Sequence, residues 1–245
     1  MLLTSSPPAP TVGAIEHSPK SKGAFVVLDS GVNYLPLLVS SLTHADVLVL
    51  DPDRDGIEQI TAALSARQAV SSLHIVSHGT PGQLLLGNAQ LDFESLGQYA
   101  EQLETWADKL QGKDVLLYGC QVAKGAMGYL FLQQLRQLTG ANLAASEQRV
   151  GRMGDRANWS LNTRLGEVNT PLIFSQSLQA SYPGHFDPVV DFSINTNTVI
   201  ESEGTPVTFN FRLSEPPPEG GTVIRWEGSI PQAINQLDLF ALTTQ

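Results

Sequence analysis

Five short apolar runs punctuate the chain between residues 24 and 145. Residues 24–28 end at Asp29-Ser30-Gly31, and residues 47–50 end at Asp51-Pro52. Residues 73–77 end at His78-Gly79, and residues 115–118 end at Gly119-Cys120. Residues 142–145 form a weaker fifth. Runs this short and apolar on both faces predict parallel strands covered on both sides. Helical spacing fills the intervals. Leu35, Leu38, Val39 and Leu42 predict one helix, and Ile57, Ile60, Ala63 and Leu64 predict another behind the acidic start Asp53-Arg54-Asp55. Phe93, Leu96, Ala100, Leu103 and Ala107 predict a single longer helix, with Asp92 as N-cap and Gly112 past its end. Leu130, Gln134, Leu135 and Leu138 predict a fourth, closed by Gly140. Residues 84–91, with Gly87-Asn88 at the centre, read as a small hairpin. Strand and helix in alternation give an α/β domain with a mostly parallel sheet and right-handed crossovers.

Past residue 150 the alternation stops. Residues 159–161 and 172–174 predict short closing strands, and residues 189–194, 199–200, 207–213 and 222–226 are strand-like between Gly- and Pro-rich turns. That stretch has the grammar of a β-sandwich but is short for one. At the other end, Pro7, Pro8, Pro10 and Pro19 break up the first 22 residues. No basic start followed by an apolar run is seen, so no N-terminal signal peptide is expected. The expected division is a flexible leader at 1–22, an α/β domain at 23–184 and an incomplete β-rich segment at 187–245.

Composition removes some function classes. Acidic residues outnumber basic ones 24 to 14, a net charge of −10, so nothing offers a basic stripe to nucleic-acid phosphates. No apolar run approaches the 18 or so residues of a membrane span. The single cysteine rules out an internal disulfide and any multi-cysteine metal site.

The predicted strand ends carry the candidate chemistry. In an open α/β sheet, ligands bind beyond the carboxyl ends of the strands. Those ends hold Asp29, Asp51, His78 and Cys120. A thiol at the start of a helix feels the positive end of the dipole, which favours thiolate. A histidine on the neighbouring strand end can serve as its base and then as acid to a leaving group. The backbone amides of Gly79 and Cys120 can form an oxyanion hole. The bland alternative for Cys120 is a small buried residue. His74 belongs at the other end of the strand, about 13 Å away, and reads as structural; His17, His44 and His185 read as inert. Ser77 points away from His78, and no Gly-x-Ser-x-Gly or Gly-x-Gly-x-x-Gly motif occurs.

Residues 74–79, His-Ile-Val-Ser-His-Gly, and 114–120, Asp-Val-Leu-Leu-Tyr-Gly-Cys, resemble the His-Gly and Gly-Cys signatures of the caspase-like cysteine peptidases. With residues 27–32, 49–60, 116–123 and 138–141 they resemble more closely a bacterial domain of unknown function, number 4347, over residues 24–184. Residues 189–226, including Ile200-Glu-Ser-Glu-Gly-Thr, are similar to the first half of a Calx-β repeat. The resemblance implies a three-layer αβα caspase-like domain. It also implies a place in a large surface protein, hence an extracellular or cell-surface location. The expected function is a cysteine endopeptidase module with a His78–Cys120 dyad, acting on a peptide or protein, its own parent chain included. The alternative is an inactive caspase-like scaffold in an adhesin.

Two acidic positions remain. Asp29 is either a strand-end cap or the binder of a basic substrate side chain, as the resemblance implies for this region. With Asp51 at the same rim, the expectation is cleavage after Arg or Lys, with Lys20, Lys22, Arg149 and Arg152 as candidate self-cleavage sites. Residues 51–56 match the opening of a calcium-binding EF-hand loop, but position twelve is Ala62, so helix capping is the better account and no cofactor or metal is expected.

Overall fold

The computed structural model describes residues 23–152 and 157–186, together with two strands further on. In chain order the elements are β1 (Ala24–Leu28), α1 (Leu35–Ser41), β2 (Asp46–Val49), α2 (Gly56–Ser65), β3 (Ser72–Val76), β4 (Gly79–Thr80), β5 (Gln83–Leu86) and β6 (Ala89–Asp92). A 3-10 turn (Ser95–Gly97) then leads to α3 (Ala100–Leu110), β7 (Asp114–Leu117), α4 (Gly125–Thr139) and β8 (Asn142–Ala145). The described domain closes with β9 (Arg149–Val150), β10 (Ala157–Asn158), β11 (Thr163–Leu165) and α5 (Gln176–Ser181).

The central sheet has the order β11-β8-β7-β3-β1-β2. Its strands run parallel except β11, which pairs antiparallel with β8. This is the mixed α/β fold with a mostly parallel sheet that the alternation predicts. The period of two along each strand divides the core. Phe25, Val27, Leu73, Ile75, Val115, Leu117 and Leu143 pack with Ile57, Ile60 and Leu64 of α2, Trp106 of α3 and Phe131 of α4. Val26, Leu28, Val76, Leu116 and Ala144 face the other way, toward Leu38 of α1, Leu178 of α5 and an aromatic group of Trp159, Phe174, Tyr182 and Phe186. Both faces of β1, β3, β7 and β8 are therefore buried, which is why their sequences read as continuous apolar runs.

Several local expectations are corrected. Residues 93–110 are not one helix: Asp92 Oδ1 accepts the amides of Glu94 and Ser95, so Asp92 caps the short 3-10 turn, and α3 starts later, at Ala100. Neither residues 159–161 nor residues 172–174 form a strand. The antiparallel edge is made by β11, whose sequence Thr-Arg-Leu is too short and polar to announce itself. The six-residue α5 is an addition, capped by Ser175 Oγ on the Leu178 amide. The hairpin is as predicted, with Gly87 at φ 61° in the first central position between β5 and β6. Beyond residue 186, β12 (Val190–Ile194) and β13 (Phe209–Leu213) pair antiparallel. The expected leader, and the expected strands at 199–200 and 222–226, lie outside the described residues.

Candidate active site

Adjacent parallel strands bring the two motif residues to one edge. β3 and β7 pair with Ile75 opposite Leu117, and His78 and Cys120 follow at their carboxyl ends. The glycines let these ends close on each other. A Cβ on Gly79 would lie 3.2 Å from the Cys120 amide nitrogen and 2.7 Å from Val122 Cγ2; one on Gly119 would lie 3.2 Å from Gly79 Cα. The amides of Gly79 and Cys120 consequently converge on one acceptor, the carbonyl oxygen of Phe186, at 3.1 and 3.3 Å.

His78 is held from the other side. Its Nε2 lies 2.9 Å from the carbonyl oxygen of Gly31. A carbonyl only accepts, so Nε2 carries the hydrogen, and the neutral ring is left with a bare Nδ1. Nδ1 is buried and has no hydrogen-bond partner. Ser30 Oγ and His185 Nε2 are likewise buried without partners, on segments flanking Gly31 and Phe186. Buried polar atoms are seldom left so.

Cys120 is 1% exposed and His78 2%. Cys120 Sγ accepts the Val150 amide at 3.1 Å and donates to the Val150 carbonyl at 3.4 Å. Cys120 packs in the cluster with Tyr182 and Phe186. The next residue, Gln121, has φ 60°, a left-handed conformation unusual for a side-chain-bearing residue. Its amide donates to the Gln148 carbonyl and that of Ala123 to the Ser146 carbonyl, which ties this turn to the segment after β8. The turn displaces the helix: α4 starts at Gly125, so Cys120 lies outside its first turn. The expected dipole effect on the thiol does not apply, because that field falls off within one turn.

The acidic candidates are placed elsewhere than on a substrate. Asp29 is 6% exposed. Its Oδ1 accepts the Gly31 amide at 2.8 Å and its Oδ2 the Gly87 amide at 2.7 Å. Burial raises its pKa above the ordinary value, against the lowering effect of those two amides and of nearby His78. Asp29 thus acts as the strand-end cap, setting the turn whose Gly31 carbonyl holds His78. Asp51 is exposed at the end of β2, two strands from β3 and so about 10 Å to the side. Its Oδ1 accepts the Asp53 amide. Asp55 caps α2 through the amides of Ile57 and Glu58 and accepts the hydroxyl of Tyr99, so the acidic trio works in local capping. Among the described residues no group of three His, Cys, Asp or Glu side chains is placed to hold a metal ion.

Of the proposed self-cleavage positions, Arg149 lies in β9, paired with β10, and the Arg152 amide donates to the Gly184 carbonyl. Lys20 and Lys22 lie outside the described residues. His74 is structural. Its Nε2 meets Ser72 Oγ at 3.0 Å and its Nδ1 meets the Tyr118 hydroxyl at 3.1 Å, and burial lowers its pKa to about 4.

Sequence reasoning missed Gly31, Val150 and Phe186, which act through main-chain atoms and carry no residue-type signal. An apolar Phe after the aromatic Tyr182 hinted only at packing.

The sequence model of a family described as "Domain of unknown function (DUF4347)" matches residues 25–186. No curated protein matches. Among solved structures the chain is similar to a secreted C11 cysteine protease from Bacteroides thetaiotaomicron, in complex with an irreversible peptide inhibitor. That likeness has 12% identity and a TM-score of 0.33, and covers 51% of this chain and 48% of that one. The chain therefore spans about half the length of that protease.

Proposed function

The chain belongs to the DUF4347 family, and we propose that it is a cysteine peptidase module. The observation that carries this reading is the convergence of the Gly79 and Cys120 amides on a single peptide carbonyl, between the strand ends that bear His78 and Cys120. Two preorganised donors on one carbonyl oxygen are what a developing oxyanion needs.

In this mechanism Cys120 Sγ turns from Val150 and gives its proton to His78 Nδ1. The thiolate attacks the carbonyl carbon of a peptide bond, and the electron pair moves onto the oxygen held by the Gly79 and Cys120 amides. The intermediate collapses as the carbon–nitrogen bond breaks, and the leaving amine takes the proton from His78 Nδ1. Water then hydrolyses the thioester, with His78 again taking and returning a proton, and Cys120 is restored. Gly31 keeps the imidazole in the tautomer that leaves Nδ1 able to accept.

A second reading has its own observation: both side chains are buried and the thiol is bonded to Val150, which suits a scaffold that binds without turnover. Hydrolysis of a fluorogenic peptide library by the full chain separates the two. The peptidase reading expects turnover abolished by Cys120→Ala and reduced by about two orders of magnitude or more by His78→Ala. Turnover that survives Cys120→Ala, or its absence from folded wild-type protein, favours the scaffold.

A further inference from the structure

The segment that supplies the Phe186 carbonyl is bonded as an added strand. The Gly184 carbonyl accepts the Arg152 amide at 2.6 Å, and the Phe186 amide donates to the Val150 carbonyl at 3.0 Å. Gly151 and His185 form an antiparallel bridge between them. An extended peptide docking on a strand edge makes this set of bonds. The ladder accounts for the amide of Phe186 but not for its carbonyl, which leaves the ladder and takes both the Gly79 and Cys120 amides. The Phe186 side chain is fully buried, edge-on to Trp159 at 5.6 Å and tilted against Tyr182 at 5.5 Å. Val150 links the two features, since its main chain holds both the Phe186 amide and the Cys120 thiol.

We infer that residues 184–186 occupy the peptide groove of this site as a tethered ligand, and that the groove takes an extended polypeptide with a large apolar residue at the carbonyl seat. This rests on the peptidase reading above. The seat is walled by Trp159, and Asp29, the carboxylate that interacts with His78, has both oxygens committed to main-chain amides. Nothing there favours a basic side chain over an aromatic one. Because the occupant belongs to the chain itself, it competes at high effective concentration. A second polypeptide therefore enters only when residues 184–186 lift from residues 150–152.

Three peptides test this on the full chain: acetyl-Tyr-Pro-Gly-His-Phe chloromethyl ketone and its analogues ending in Lys or Asp. Each is applied to wild type and to Phe186→Ala, with adducts at Cys120 read by mass spectrometry and iodoacetamide as a small control. The Phe peptide should label at least about tenfold faster than the others, as an apolar seat discriminates. Phe186→Ala should speed labelling by all three. Faster labelling by the Lys peptide would overturn the apolar seat while leaving the peptidase reading intact. Labelling by iodoacetamide but by no peptide would overturn the peptidase reading itself. Hydrogen exchange on wild type covers a Phe186→Ala chain that fails to fold. The amides of Gly79, Cys120, Arg152 and Phe186 should exchange together, faster than those of Ile75 and Leu117. Exchange of all six at one common rate would make residues 184–186 part of the core and overturn self-occupancy.

Discussion

The Nε2 of His78 lies 2.9 Å from the carbonyl oxygen of Gly31. The amide of that same Gly31 is held at 2.8 Å by Asp29 Oδ1. Asp29 therefore reaches the histidine through one residue, positioning the Gly31 carbonyl that decides which ring nitrogen carries the proton. It is a positioning residue, and its second oxygen pins the hairpin turn at Gly87.

Asp29→Asn tests that role. An amide can accept only one of the two backbone hydrogens, and its own NH2 then faces the other donor. We expect a loss of about 1–3 kcal/mol in urea unfolding, the cost of a buried donor left unpaired. The ranking of peptide substrates should not change. A switch from basic to neutral preference would instead assign Asp29 to the substrate.

Gly79→Ala tests the amide pair. The added methyl would sit 2.7 Å from Val122 Cγ2 and 3.2 Å from the Cys120 nitrogen, so the two strand ends must part. Turnover should fall about 10²–10³-fold, as when one oxyanion donor is lost. Val122→Ala relieves the closest contact and should restore part of it. Unchanged kcat in a folded Gly79→Ala chain would remove these amides from the mechanism.

The five parallel strands, the hairpin and the strand-end placement of His78 and Cys120 were legible in the sequence because each rests on a local signal: an apolar run, a Gly-Asn turn, a His or Cys after a strand. What escaped rests on main-chain geometry or competition between caps. Asp92 looked like the cap of a long helix and caps a 3-10 turn instead. Cys120 looked like the start of a helix, but Gln121 takes a left-handed turn that delays α4 to Gly125. Asp29 looked able to meet a substrate because a sequence does not reveal that Gly87, far along the chain, claims its second oxygen. Phe186 fills the carbonyl seat through an atom every residue possesses.

The buried His74 predicts a pH dependence of stability. Burial lowers its pKa to about 4 from 6.5, so between those values the unfolded chain binds a proton that the folded one refuses. Stability should fall as pH drops through that window, by up to about 3 kcal/mol. Asp29, raised by burial, acts with the opposite sign near its own titration. At Asp114 burial raises the pKa, but the hydrogen bonds from Thr170, Asn169 and Asn142 outweigh it and lower the value, so it adds acid sensitivity below the ordinary Asp range. Urea midpoints at pH 7 and 4.5 measure the loss, and His74→Gln should flatten it. An equal loss in that variant would place the acid sensitivity elsewhere.

The pairing of Cys120 with His78 is tested most directly by the rate of Cys120 alkylation with iodoacetamide at pH 6.5, in the full chain and in His78→Ala. An isolated thiol with an ordinary pKa near 8.5 is only about 1% thiolate at that pH. The account predicts that wild type reacts at least about tenfold faster than His78→Ala. Equal rates in two folded proteins would contradict it.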